Sequence, residues 1–122
     1  MKHSELPRIE EEELLAMFRC ASEALEHAEN KHPYFADSFT FKLDTLRDAQ
    51  NQLQDRRNDN AERVLQGRMI PVCVLDCETL EAREAFMRRN LDDFNDEMAQ
   101  VVAVALRMWH MGRLELQEGR AQ

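Results

Sequence analysis

The sequence has few residues that break helices and no long hydrophobic run. Its 122 residues include only three glycines and three prolines, which is little material for the turns of a many-stranded sheet protein. The longest apolar run is residues 101–106, VVAVAL, whereas a membrane-spanning helix needs about 20 apolar residues. The first residues, MKHSE, also lack the apolar stretch of a signal peptide. We therefore expect a cytoplasmic protein that does not cross or bind a membrane.

Cysteine is scarce, and its number is odd. Cys20, Cys73 and Cys77 make a poor disulfide framework, because only an even, spaced set suits the stapled domains of oxidising compartments. The Cys73–Cys77 spacing resembles half of a zinc site, but no second cysteine pair or nearby histidine completes four ligands. The thiols therefore favour a reducing compartment and do not predict zinc.

Basic residues are also in the minority. The chain has 16 lysines and arginines against 24 aspartates and glutamates, a formal net charge of −8. Nonspecific binding to DNA, RNA or an anionic lipid surface needs a cationic surface, so this balance argues against a nucleic-acid partner. It permits a basic protein partner, or carboxylates that bind a divalent metal ion.

What the sequence does contain is helical periodicity. Apolar residues recur three and four positions apart along most of the chain, which predicts an all-α bundle of about four main helices in one domain, residues 1–122. Residues 58–77 break this pattern, and their short β-branched run predicts an irregular or extended insert. The predicted helices are about 7–30, one that begins at Asp37 or Ser38, one from Thr79 to about 90, and about 91–116.

The last of these helices has too many apolar positions for an ordinary surface helix. Every position of residues 101–106 is apolar. The predicted inward stripe is Leu91, Phe94, Met98, Val101, Val102, Ala105 and Trp109. A helix that is apolar on all sides is covered on all sides. We therefore expect a homo-oligomer, either a dimer or a tetramer.

Pairs of acidic residues four positions apart are candidate metal ligands. Asp93 and Glu97 lie on one face of the last helix, and Asp44 and Asp48 lie on one face of the second. Carboxylates beside an apolar wall suit Mg²⁺ or Mn²⁺, which prefer oxygen ligands. The alternative is an acidic first turn stabilised by the helix dipole for the former pair, and a solvated face for the latter.

Two stretches together resemble the small MazG-like proteins of the all-α nucleoside triphosphate pyrophosphohydrolase superfamily, which are common in phages. The first is residues 24–35, ALEHAENKHPYF, which is similar to a helix end and Lys-His-Pro-x-aromatic turn of that family. The second is residues 96–107, DEMAQVVAVALR, which is similar to its closing helix. The resemblance covers roughly a quarter of the chain.

This resemblance implies an oligomeric helical bundle that hydrolyses a nucleotide between its α and β phosphates. It implies Mg²⁺ held by a Glu-Glu-x-x-Glu motif and a later Glu-x-x-Asp, which maps onto Glu97 and Gln100. The earlier motif falls on residues 47–51, RDAQN, where only Asp48 is acidic; another register, residues 44–48, keeps Asp44 and Asp48. The implied metal ligands are Asp48 and Glu97, with Asp44 and Asp93 in reserve, and the catalytic residue is unassigned.

Two functions remain open from the sequence. The first is a MazG-like nucleotide-handling protein, either a weak Mg²⁺-dependent pyrophosphohydrolase or a nucleotide-binding relative that has lost catalysis. The second is a non-enzymatic acidic protein, such as an inhibitor, an anti-defence protein or an immunity-type protein, which acts through a basic protein partner. Dependence on a metal ion distinguishes the two.

Overall fold

The computed structural model describes residues 8–35 and 45–121, with side chains as far as Gly119. Within these residues the protein is all-α and contains no strand. None of the helices in this part of the chain combines the length and apolarity that a membrane span needs. The four helices are α1 (Glu11–Lys31), α2 (Leu46–Leu65), α3 (Pro71–Met87) and α4 (Leu91–Ala121).

The helices divide between two compact units. The first unit, Met1–Thr40, contains α1, and the second, Phe41–Gln122, contains α2, α3 and α4. The candidate metal ligands that are described all belong to the second unit. The prediction of one domain across residues 1–122 stays a prediction.

Helix α1 confirms the predicted first helix to within a few residues. Three glutamates occupy its first turn and Lys31 its last, so charges of the favourable sign lie at both ends of the helix dipole. The helix closes with a hydrogen bond from the His32 amide to the Ala28 carbonyl, 2.8 Å long, directly before Pro33. Met17 is its buried residue.

Helix α2 begins at a threonine cap and ends at a glycine. The Thr45 hydroxyl accepts a hydrogen bond from the Asp48 amide at 3.1 Å, which satisfies one of the orphan amides of the first turn. At the other end, Gly67 has φ +71°, and the Arg68 amide donates to the Arg63 carbonyl. This is the Schellman arrangement, in which a residue in the left-handed region closes the helix.

Helix α3 begins at Pro71 and ends without a glycine. Proline suits the first turn because its fixed φ is helical and its missing amide hydrogen is not needed there. At the end of the helix Arg89 takes φ +62°, and the Asn90 amide donates to the Ala85 carbonyl at 3.1 Å. The Asn90 side chain then caps α4 by accepting from the Asp93 amide.

The three-residue connection between α3 and α4 makes an antiparallel helical hairpin, and a small aromatic core holds it together. Phe86 of α3 and Phe94 of α4 are buried and meet edge to face, with ring centroids 5.3 Å apart. Ala82 and Ala85 complete this cluster, and Val101 packs against it from the next turns of α4. The buried residues of α2 are Ala49 and Leu53, four positions apart on one face of that helix.

The structure corrects the predicted insert. Residues 58–65 continue α2 and residues 71–77 open α3, so the irregular or extended segment shrinks to a short connection around Ile70, whose φ of −111° and ψ of 114° are extended. Gly67 ends α2 and Pro71 starts α3. These helix-ending and helix-starting residues decide the structure of the segment, although its β-branched composition favours a strand. Thr79 is mid-helix rather than a cap, and its hydroxyl donates to the Leu75 carbonyl at 2.9 Å.

The other predicted boundaries concern the start of the second helix and the extent of the last helix. Asp37 and Ser38, the predicted start of the second helix, lie outside the described residues. The final helix begins at Leu91 as predicted, but it runs to Ala121. Its predicted inward stripe combines two faces, since Phe94 is buried whereas Leu91, Met98, Val102 and Trp109 are exposed.

A candidate metal site on α3 and α4

Three glutamate side chains converge where α3 and α4 face each other. Glu78 and Glu81 lie one turn apart on α3, and Glu97 lies on α4. One carboxylate oxygen from each residue lies within 4.8 Å of those of the other two, and all three side chains are half-buried. Acidic side chains normally avoid both burial and each other, so this arrangement calls for a physical cause.

The hairpin explains why these particular side chains meet. A spacing of three residues puts Glu78 and Glu81 on one face of α3. The contact between Phe86 and Phe94 fixes the register of α4 against α3. Glu97 is three positions beyond Phe94, so it lies on the same inner side of α4, facing the two glutamates.

Burial, together with the neighbouring carboxyl groups, raises the pKa of Glu97 from 4.5 to about 7. Burial is the largest cause, because it removes water from the charged form. A hydrogen bond with Glu81 and the negative charges of Glu81, Glu78 and Asp93 add to the rise in pKa. Near neutral pH, Glu97 therefore exchanges between a protonated and an ionised carboxyl group.

The pKa of Glu78 is also raised by this environment, and Arg57 offsets part of that rise. Burial raises the pKa of Glu78, as do the charge of Glu81 and a hydrogen bond with it, whereas the guanidinium of Arg57 lowers it. The Nη2 atom of Arg57, on α2, lies 3.2 Å from Oε1 of Glu81. Arg57 brings one positive charge beside three carboxyl groups, and Asp93 adds a further negative charge.

One atom of the site lacks a hydrogen-bond donor. The Oε2 atom of Glu97 is buried, and no group among the described residues pairs with it. Buried carboxylate oxygens are nearly always hydrogen-bonded or bound to an ion, so such an atom points to a missing proton or cation. Three oxygen donors of this kind are the ligands that Mg²⁺ and Mn²⁺ prefer.

The two thiols of α3 are not part of this donor set. The side-chain amide of Asn60 donates to the Cys73 carbonyl at 3.1 Å and to the Cys77 sulfur at 2.9 Å, which ties α2 to α3. Burial, and next the charge of Glu81, raise the pKa of the Cys77 thiol above its usual 9.0. Because the thiolate is the form that binds metal, a thiol with a raised pKa is a poor ligand at neutral pH.

A cleft of about 470 Å³ also lies between α2 and α3. None of the three clustered glutamates lines it, so it is separate from the candidate metal site. Three aspartates, Arg56 and two leucines are among the residues that line it. The lining residues are Gln52, Asp55, Arg56, Asp59, Leu75, Asp76, Thr79 and Leu80.

The four predicted metal ligands have different positions in the structure. Glu97 is a member of the cluster, and Asp93 is exposed one turn earlier on α4, where its charge acts on Glu97. Asp48 is exposed in the first turn of α2 and is not one of the three clustered carboxylates. Asp44 lies outside the described residues.

Glu78 and Glu81 were not identified as metal ligands from the sequence, because the start of this helix was predicted at Thr79 instead of Pro71. When Thr79 is taken as a helix cap, Glu78 falls before the helix and Glu81 in its first turn, where the dipole accounts for an acidic residue. Once residues 71–87 are one helix, the Glu-x-x-Glu spacing becomes an inward face opposite Glu97. The signal was present, but it depended on the helix boundary.

No family model, curated protein or solved structure matches this chain. The chemistry of the site is therefore argued from its residues and from their geometry.

Proposed function

We propose that the chain is a MazG-like nucleotide-handling protein whose clustered glutamates bind a divalent cation, Mg²⁺ in the first place. The observation that carries this proposal is the convergence of Glu78, Glu81 and Glu97, with oxygens within 4.8 Å of one another. Three carboxylates this close repel each other when ionised. A divalent cation supplies both the missing positive charge and a partner for the buried oxygen of Glu97.

The donor set fits a hard cation. Mg²⁺ binds oxygen at about 2.0–2.1 Å and Ca²⁺ at about 2.3–2.6 Å. Oxygens up to 4.8 Å apart would therefore need small side-chain rotations, rather than a movement of the helices, to surround one Mg²⁺ ion. Asp93 adds negative charge from the preceding turn. Zinc suits the site less well, because its structural sites use sulfur and nitrogen ligands.

The MazG-like resemblance supports this proposal in a register that differs from the predicted one. On α3, the Glu-Glu-x-x-Glu motif of the family falls on residues 77–81, CETLE. Cys77 then replaces the first glutamate, while Glu78 and Glu81 are retained. The later motif still falls on Glu97 and Gln100, so both motifs lie on helices that form one hairpin.

The reaction supported by this site is hydrolysis of a nucleoside triphosphate between its α and β phosphates. The oxygen of a water molecule forms a bond to the α-phosphorus while the bond from that phosphorus to the bridging oxygen breaks. The water gives up a proton to the solvent, and a nucleoside monophosphate and pyrophosphate leave. A bound divalent cation would neutralise the charge of the phosphates and polarise the phosphorus–oxygen bonds. The three glutamates would hold that cation.

Arg57 would take part by binding phosphate. Its guanidinium already lies beside Glu81 at the edge of the cluster, and guanidinium groups pair bidentately with phosphate oxygens. A relative that has lost catalysis would still bind a metal–nucleotide complex through the same groups. Turnover and binding are therefore separate measurements on one site.

The first test is the melting temperature with and without Mg²⁺ or Mn²⁺, across a panel of nucleoside triphosphates. A ligand at 100 times its Kd stabilises the folded state by about 2.7 kcal/mol, so we expect a metal-dependent rise. Glu81→Gln removes one ligand charge and should weaken metal affinity at least about tenfold. Release of pyrophosphate then measures turnover.

Two further variants make this test specific. Glu62→Gln changes an exposed glutamate of α2 and should leave the metal-dependent shift unchanged. Asp48→Asn distinguishes the registers, because it lowers metal affinity only if the earlier motif lies on α2. If no metal shifts the melting temperature of the unaltered protein, the proposal is wrong, and a basic protein partner becomes the better hypothesis.

A further inference from the structure

Two cysteines lie about one turn apart on α3, and side chains of α2 donate hydrogen bonds to both of their sulfur atoms. Nη1 of Arg63 donates to Sγ of Cys73, and Nδ2 of Asn60 donates to Sγ of Cys77 at 2.9 Å. The same Asn60 amide also donates to the Cys73 carbonyl at 3.1 Å. We call these four residues the thiol cluster, and all of them belong to the second compact unit.

The two thiols differ in how easily a small oxidant reaches them. Cys77 is 7% exposed, whereas Cys73 is half-buried and lies in the first turn of α3. Cys73 also has a guanidinium beside its sulfur. Cys73 is therefore the thiol of the cluster that we expect an oxidant to attack first.

We propose that the thiol cluster is a reversible oxidation site, at which a peroxide joins Cys73 and Cys77 in a disulfide within α3 and thereby opens the first turn of the helix. First, the Cys73 sulfur attacks one oxygen of hydrogen peroxide, the oxygen–oxygen bond breaks, and a sulfenic acid and one water molecule form. The Cys77 sulfur then bonds to the Cys73 sulfur, and the hydroxyl group leaves with the Cys77 proton as a second water molecule. The two thiols lose two electrons in all, and the peroxide gains them.

Arg63 assists the first of these steps. The departing oxygen of the peroxide becomes negatively charged as the oxygen–oxygen bond breaks, and a guanidinium donates strong, charge-assisted hydrogen bonds to such an oxygen. A guanidinium has five N–H donors, so the group that contacts the Cys73 sulfur can also donate to an oxygen beside that sulfur. Burial protects Cys77 from direct attack, and Cys77 therefore acts in the second step.

The helix must open locally for the disulfide to close. Residues four apart in a helix have Cα atoms about 6 Å apart, which is within the usual range for a disulfide. Their Cβ atoms, however, are about 5–6 Å apart, and a disulfide needs about 3.5–4.5 Å. The two cysteines must therefore approach each other, and Cys73 is the one that can move. Its amide donates to the Ile70 carbonyl at 3.0 Å in the first turn, and helix ends fray.

This opening removes contacts between α2 and α3. When Cys73 moves, its sulfur leaves Arg63 and its carbonyl leaves Asn60. A disulfide with strained geometry is also easily reduced. Transient disulfides of this kind are the ones that sense oxidants in reducing compartments. Oxidation and reduction of the cluster therefore switch the contact between α2 and the start of α3.

Peroxide treatment of the folded Cys20→Ser protein, followed by mass spectrometry, tests the chemistry. We expect the mass to fall by two hydrogen atoms, a cross-link between residues 73 and 77, and recovery of both thiols with dithiothreitol. When Cys77→Ser is added, Cys73 should stop at the sulfenic acid, which a dimedone reagent traps. When Cys73→Ser is added instead, Cys77 should stay reduced. Two thiols that remain free, or modification of Cys77 before Cys73, would overturn the proposal.

A change of Arg63 tests the part of the guanidinium. Arg63→Gln should lower the rate constant for oxidation of Cys73 about tenfold, which is the usual order for one hydrogen bond to a charged group. Arg56→Gln, at an exposed arginine of the same helix that lines the separate cleft, is the matched control and should keep the unaltered rate. Equal rates in the two variants would contradict the role of Arg63.

Hydrogen exchange tests the opening of the helix. In the oxidised protein, the amides of residues 71–77 should exchange faster than in the reduced protein. The amides of residues 82–86, which belong to the hairpin core, should keep their rates. A disulfide that forms without faster exchange at residues 71–77 would contradict the proposed opening of the first turn.

Discussion

Two states of the Glu97 carboxyl group would relieve its repulsion with Glu78 and Glu81. It can keep a proton, which the rise of its pKa to about 7 describes, or it can lose the proton and share a cation with Glu78 and Glu81. Metal binding must displace the proton, so metal affinity should increase with pH across neutrality. At the proposed metal site, protonation and metal binding would thus compete for the carboxyl group of Glu97.

Replacing Glu97 should remove a pH-dependent part of the stability of the metal-free protein. The unfolded chain releases this proton near pH 4.5 and the folded protein near pH 7, so between these values the folded state binds more protons. The free energy of unfolding therefore falls as pH rises through this window. The contribution of Glu97 is fully present below about pH 4.5 and is lost above about pH 7.

Urea unfolding at pH 5 and pH 8 without metal measures this effect. We expect Glu97→Gln to show a smaller loss of stability between the two pH values than the unaltered protein does. Glu62→Gln, on the exposed side of α2, should retain the full pH dependence. An unchanged pH dependence in Glu97→Gln would mean that another group carries the proton.

At the scale of the elements, α2 and α3 end in the same backbone conformation but use different residues to adopt it. Both α2 and α3 close with a residue in the left-handed region, Gly67 at φ +71° and Arg89 at φ +62°. Glycine takes this conformation without steric cost, and arginine does not. The guanidinium of Arg89 lies 5.0 Å from the centre of the Phe86 ring, and this cation–π contact offsets part of the strain.

A side chain at position 67 should destabilise the connection between α2 and α3. Nothing within 4 Å would contact a Cβ atom there, so the cost of Gly67→Ala comes from the positive φ alone. We expect a loss of about 1 kcal/mol in the free energy of unfolding. Gly67→Asn should cost less, because asparagine tolerates this region.

Chemical denaturation of the two variants provides the comparison. If Gly67→Ala and Gly67→Asn are equally destabilised, the left-handed conformation is not the cause of the loss.

The elements also show what the sequence could and could not predict. The period of the apolar residues predicted α1 and most of α4, because an amphipathic stripe is a property of one helix. The residues around Ile70 and Pro71 were assigned wrongly, since β-branched composition favours a strand and only packing on neighbouring helices decides the outcome. That error concealed Glu78 and Glu81, whereas Glu97 was found from α4 alone.

At the scale of the whole molecule, the described part of the second unit depends on few fully buried side chains. Phe86 and Phe94 form the centre of the α3–α4 contact, and alanines rather than larger residues surround them. Many large apolar residues remain exposed in the single chain. A thin core of this kind makes the unit sensitive to a change at its few aromatic positions.

The substitution Phe86→Ala should be severely destabilising. Phe86 is 2% exposed, and removal of a buried phenylalanine ring typically costs about 3–5 kcal/mol. Leu65→Ala, at a residue that is 88% exposed, should change stability by less than about 0.5 kcal/mol. Thermal unfolding of both variants at one protein concentration measures the difference, and similar losses would contradict the assigned core.

The short connection between α3 and α4 has a consequence for the order of folding. All three clustered glutamates lie within residues 78–97, so they meet as soon as one local hairpin closes, at a small cost in loop entropy. Contacts this close along the chain form early, and the repulsion among the carboxylates then opposes the first steps of folding rather than the last. A cation that binds the proposed site would therefore act mainly on the rate of refolding and would change the rate of unfolding little.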